Sequence, residues 1–170
     1  DYAVRMRRLP QERMLKNIIG AADFDPRLLE VIAGKLADFH HRAETGGRID
    51  EIGGPETVHR NHEENFAQTE KYVGVTISAH QFHFIKQYIF RFMEDNRELL
   101  ARRVREHRIR DGHGDLHLEH IVVADDIIIF DCIEFNERFR YGDVAAEVAF
   151  LSMDLDFNGH PEYAERFVRG

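Results

Sequence analysis

The chain has 170 residues, 43% hydrophobic and 32% charged, with a formal net charge of −8 at pH 7. That length can bury one real core, while no apolar run reaches the ~20 residues of a membrane span and no secretory signal opens the chain. The acidic balance argues against nucleic acid as the main partner, and a single cysteine, Cys132, excludes an internal disulfide and fits a reducing cytoplasm.

Residues 2–9 alternate apolar and basic side chains, as a strand does with one face buried. An opening strand with nothing before it to pair with predicts sequence upstream, so the chain reads as a fragment. After Pro10 a short helix over 11–19 ends near Gly20. Asp25 caps a stronger helix with Pro26 in its first turn. Leu29, Ile32, Ala33, Leu36 and Phe39 form its buried stripe, and it should stop near Gly46 and Gly47. Residues 45–54 carry four glycines and are expected to form a mobile loop. Pro55 opens a helix with Val58, His62, Phe66, Thr69 and Val73 on one face. Ser78 caps the next, apolar through Phe82, Ile85, Ile89, Phe92 and Met93. Its pattern continues to His107, long enough to predict a bend near Asn96. Residues 121–131 read as two apolar strands around an Asp125-Asp126 turn. Asp143 then caps a helix with Val144, Val148, Leu151 and Leu155 inward; Gly159 stops it and Pro161 starts the last one. The fold class is α+β, mainly α, with one short β-hairpin.

The hairpin follows directly on His113-Gly114-Asp115-Leu116-His117-Leu118-Glu119-His120. Asp115 on this loop and Asp131 at the far end of the hairpin are brought to one place. Phosphoryl transfer needs such a pair: one carboxylate to orient a hydroxyl, another to hold a metal on the nucleotide phosphates. A lone Asp115 would read as a turn cap and a lone Asp131 as a strand-end carboxylate; the hairpin makes the pairing informative. His113 is expected to pack under the loop and hydrogen-bond its backbone. His113, His117 and His120 also have spacings that zinc can use, which keeps a zinc-dependent hydrolase as a rival. His59/His62 and His80/His83 lie on predicted helices, where packing or solvent explains them. Glu134 is expected on the surface, and Cys132 as a small buried side chain beside the site. Arg102, Arg103, Arg105, Arg108 and Arg110 suit a helix C-terminus. Asp50, Glu51, Glu56, Glu63 and Glu64 read equally as a solvated acidic face or a surface for a cationic substrate.

His113-Gly114-Asp115-Leu116-His117 resembles the catalytic loop of the aminoglycoside phosphotransferase-like kinases, relatives of choline and protein kinases. Phe130-Asp131 resembles their metal-binding segment, and Gly142-Asp143 before an apolar helix resembles their Gly-Asp element. Residues 2–10, 61–68 and 131–140 are similar to a bacterial group of this family often fused to a downstream P-loop domain. The resemblance implies the large, C-terminal lobe of a protein-kinase-like fold over 10–170. Residues 1–9 would be the end of the small lobe, with a hinge near Met6. It implies a cytoplasmic ATP-dependent phosphotransferase acting on a hydroxyl of a small molecule, with Asp115 catalytic, Asp131 and His120 on the metal, and His113, His117 and Asp143 in support. ATP and Mg²⁺ are the implied cofactors. The family's glycine-rich phosphate loop and lysine would lie upstream, and no Walker sequence occurs in this chain. The departure is His120, where the wider superfamily carries Asn. Imidazole is a poorer ligand than an amide oxygen for Mg²⁺ and a better one for Mn²⁺ or Zn²⁺. That substitution admits an alternative: a catalytically silent, kinase-like nucleotide-binding or regulatory module.

Overall fold

The computed structural model describes Ala3 and residues 8–170; the strand and hinge expected around Met6 lie outside the described residues. In chain order the elements are α1 (Leu15–Ile18), α2 (Arg27–Arg42), α3 (Arg48–Gly53), α4 (Pro55–Thr69), α5 (Ala79–Asp95), α6 (Arg97–Arg105) and β1 (Ile109–Asp111). They continue with β2 (Ile121–Val123), β3 (Ile127–Ile129), α7 (Glu137–Arg140), β4 (Tyr141–Asp143), α8 (Val144–Phe157) and α9 (Pro161–Arg169). Among the described residues the protein is mainly helical with two small antiparallel sheets. One is the expected hairpin, β2–β3, with Val122 opposite Ile128. The other, β1–β4, pairs Arg110 with Gly142 and was not expected, because three-residue strands leave almost no periodicity to read. No helix among the described residues is long and apolar enough to cross a membrane.

Several local signals act as the sequence implies. Asp25 accepts a hydrogen bond from the Arg27 N–H at 3.0 Å as α2 begins. Ser78 and Gln81 form a reciprocal capping box at the start of α5. At Asn96 the helical dihedrals are lost and its side-chain amide donates to the Phe92 carbonyl, so α5 and α6 are separate helices. Other expectations need correction. The helix over 11–19 is a 3-10 turn (Gln11–Arg13) followed by α1, because Met14 between them is extended and bridges to Val122. On α2 the inward residue is His40, while Phe39 is exposed. The stretch 45–54 is not an open loop, since α3 occupies most of it. Its glycines serve geometry: Gly46 and Gly47 have positive φ, and a Cβ on Gly53 would lie 2.6 Å from Ile109 Cγ2 and 2.9 Å from the Tyr141 backbone.

The chain forms two compact units. The first comprises residues 1–42, 112–134 and 145–170. Its core is built from Leu15, Leu29, Ile32, Leu36, Leu116, Leu118, Ile121, Leu151, Leu155 and Phe167, all fully or nearly fully buried. Burial of a side chain of this size is worth roughly 1.5–3 kcal/mol, so this core anchors everything attached to it. The second unit comprises residues 43–111 and 135–144. Its buried apolar residues among those described are Ile49, Phe82 and Ile109. Charged pairs join its elements: Arg48 to Glu137, Arg138 to Glu64, Arg140 to Asp111, and Arg103 to Asp143.

Candidate active site: a loop held by one helix

The loop 113–120 lies in the first unit and carries its polar residues on a buried apolar frame. Leu116 and Leu118 are fully buried and fix the loop to the core, while Asp115, His117 and His120 between them keep partial exposure. Gly114 has φ +81°, which lets the chain turn sharply into Asp115.

His113 is buried and fixes the turn, as its expected role required. The Asp115 N–H donates to its Nδ1 at 3.2 Å, so its Nε2–H is the donor to the Phe130 carbonyl at 2.7 Å. Its own carbonyl accepts from the Ile133 N–H at 2.9 Å. His113, through its ring and its carbonyl, therefore ties the loop to both sides of Asp131. With both ring nitrogens engaged, His113 has no lone pair left for a metal, which removes it from the zinc set suggested by spacing.

His120 occupies the centre. Its Nδ1 meets the Asp115 carbonyl at 2.8 Å, and a carbonyl only accepts, so Nδ1 carries the proton. That leaves Nε2 as the lone-pair nitrogen, and it faces Asp131 Oδ2 at 3.4 Å. Nδ1 is also 3.7 Å from Asp115 Oδ2. The 120 carbonyl accepts from the Phe130 N–H at 3.1 Å, so loop and hairpin are joined at the site itself. Asp131 is exposed and has φ +62°, a left-handed conformation that is uncommon outside glycine. A strained backbone at this position is consistent with a constraint imposed by function. His117 places Nε2 3.6 Å from Asp115 Oδ2, with its ring centroid 3.9 Å from that of His120.

The bracing side chains come from α8. Glu147 Oε1 accepts from the Gly114 N–H at 2.9 Å and from the His113 N–H, and Oε2 meets His40 Nε2 at 2.6 Å. Two turns further along the helix, Asp154 Oδ2 accepts from the Leu118 N–H at 2.8 Å. Burial opposes the charge on Glu147, but hydrogen bonds from His40 and from the Gly114 and His113 N–H groups outweigh it and hold its carboxyl below the usual range. Neither acid was singled out from the sequence, although a signal existed. Both fall on the same helical face as Val144, Val148, Leu151 and Leu155, where a carboxylate needs a partner.

The remaining candidates are placed as follows. Asp143 lies in the second unit, where the Arg103 guanidinium binds both of its carboxylate oxygens. Cys132 is exposed, against expectation. Glu134 is exposed, as expected. Glu64 is engaged by both Arg138 nitrogens and Asp126 pairs with Lys35, so neither presents a free charge.

The phosphotransferase enzyme family model matches residues 6–170. An uncharacterized protein of Mycobacterium bovis and two of Mycobacterium tuberculosis are each 33% identical to this chain over 171 residues, covering 100% of it. The chain spans about a third of the length of these relatives, 34%. A His-Gly-Asp loop held by α8, with a second carboxylate returned to it by a hairpin, is thus set within a match over nearly the whole chain: the protein belongs to the aminoglycoside phosphotransferase-like phosphotransferase enzyme family.

Proposed function

We propose that the chain carries the catalytic loop of an ATP-dependent phosphotransferase acting on a hydroxyl of a small molecule. The observation that carries this reading is the line of contacts from Asp115 through His120 to Asp131, 3.7 Å and then 3.4 Å. Asp115, held in position by the turn that Glu147 and His113 brace, orients the acceptor hydroxyl and takes its proton. Asp131 Oδ2 and His120 Nε2 offer one oxygen and one nitrogen to a divalent ion, a donor pair that fits Mn²⁺ at least as well as Mg²⁺. Such an ion would neutralise charge on the nucleotide phosphates. The hydrogen bond from Nδ1–H to the Asp115 carbonyl is the kind of partner that orients a ligating imidazole. The hinge near Met6, a fused or associated P-loop domain and a cytoplasmic setting belong to the same proposal.

The test is transfer of the γ-phosphoryl group of ATP to a panel of hydroxylated small molecules, with Mg²⁺ or Mn²⁺, by the full-length protein. Asp115→Asn is expected to lower the rate about 10²–10⁴-fold, the usual contribution of a positioned base. A variant that turns over at the wild-type rate sinks the assignment. His120 in place of an amide favours one second reading, a nucleotide-binding module without catalysis. Metal-dependent ATP binding with no transfer under either metal is its signature.

A further inference from the structure

We propose that Asp115, His117 and His120 form a binding site for a zinc-class transition-metal ion, and that occupancy of this site silences the loop. Each of the three residues offers one ligand atom, and these atoms all lie within 4.8 Å of one another. Zinc bound tetrahedrally at ~2.0–2.1 Å would hold its ligand atoms about 3.4 Å apart. His117 Nε2 and Asp115 Oδ2 are already 3.6 Å apart, so closing on an ion takes a few tenths of an ångström there. His120 supplies the second imidazole, its ring centroid 3.9 Å from that of His117. With the Nδ1 proton committed to the Asp115 carbonyl the lone pair is on Nε2, which also faces Asp131 Oδ2 at 3.4 Å. Two imidazoles and one carboxylate, with the fourth position open, is a donor set used by zinc and disfavoured by Mg²⁺, which takes oxygen. The set is partly exposed, at 23% and 14% for the two histidine side chains and 40% for Asp115, so an ion can reach it.

This site shares His120 with the Asp131–His120 pair assigned above to the nucleotide's metal, so the two ions compete for that imidazole. It uses His117, which that pair does not need, and it recruits the carboxylate proposed as the base. An Asp115 oxygen bound to zinc cannot accept a proton from a hydroxyl. Metal binding stands on the geometry alone, whereas its inhibitory consequence rests on the phosphotransfer reading.

The experiment is calorimetric titration of the full-length protein with Zn²⁺ alone, in the absence of nucleotide. It is run on wild type, His117→Ala, His117→Gln, His120→Asn and the double variant His80→Asn/His83→Asn. The expected result is one bound ion, with affinity falling about tenfold or more in each His117 and His120 variant, on the scale seen even for the partners of metal ligands. The double variant, which removes an exposed i,i+3 pair on α5, should bind as wild type does. Each variant is first checked for a cooperative unfolding transition, and His117→Gln keeps the side chain's bulk should the alanine fail to fold. Absence of binding, binding unchanged without His117, or binding lost with His80 and His83 overturns the site. In a second arm, Zn²⁺ added at its measured Kd should halve phosphoryl transfer. If transfer is absent under all metals while zinc still binds through His117, the phosphotransferase reading fails and the metal site stands.

Discussion

Each of the two compact units is stabilised internally, and by different means. In the first, fully buried leucines and isoleucines surround the loop, whose backbone N–H groups donate to Glu147, Asp154 and His113, and ion pairs such as Lys35–Asp126 and Arg166–Glu30 lie on its exposed side. In the second, few apolar residues are buried, and arginines join the elements pairwise. A cavity of about 210 Å³ remains there, lined by Val58, His62, Ile89, Phe92, Met93 and Leu100 among others. Close packing transmits strain and fixes atoms to fractions of an ångström. Exposed and half-exposed ion pairs tolerate adjustment and respond to salt. Chemistry that needs fixed carboxylates therefore belongs with the first unit.

Substitutions can break or sharpen this contrast. Leu118→Ala, at a fully buried position under the loop, should cost about 2–5 kcal/mol in urea unfolding. Glu147→Gln comes next, at about 1–3 kcal/mol, since it weakens two hydrogen bonds from backbone N–H groups and the buried contact with His40. The same group sets an acid limit. Its carboxyl is held below the ordinary value of 4.5, so its contribution is complete above that pH and is lost as pH falls through the lower folded value. Wild type should therefore lose stability below about pH 4.5 more steeply than Glu147→Gln does. In the second unit Arg48→Met, which removes the exposed pair with Glu137, should cost about 1 kcal/mol or less, and less still in high salt. The smallest effect is expected for Phe92→Ala, about 0.5 kcal/mol, because that ring is 46% exposed and borders the cavity. A cost at Phe92 equal to that at Leu118 would erase the distinction between the units.

What the sequence disclosed follows the same division. The loop and hairpin were legible because their signals are local: a His-Gly-Asp turn, apolar runs on either side of Asp125-Asp126, and an Asp at the end. Caps at Asp25 and Ser78 and the break at Asn96 are local too. His40 and Glu147 are 107 residues apart, and neither explains the other until the fold brings them together. The glycines around α3 suggested mobility, yet Gly53 answers to Ile109 and Tyr141, residues distant in the chain. Composition records that a position is small; it does not record what presses against it.

Asp131 gives the most direct test of the account. Asparagine tolerates its left-handed backbone, so Asp131→Asn should leave the unliganded protein as stable as wild type. Thermal unfolding of the full-length protein is then followed with ATP and Mg²⁺, with ATP and Mn²⁺, and with each metal alone. A ligand at one hundred times its Kd raises stability by about 2.7 kcal/mol. The account predicts a metal-dependent ATP shift in wild type, at least as large with Mn²⁺ as with Mg²⁺, that disappears in Asp131→Asn. An undiminished shift in the variant, or none in wild type with either metal, would contradict it.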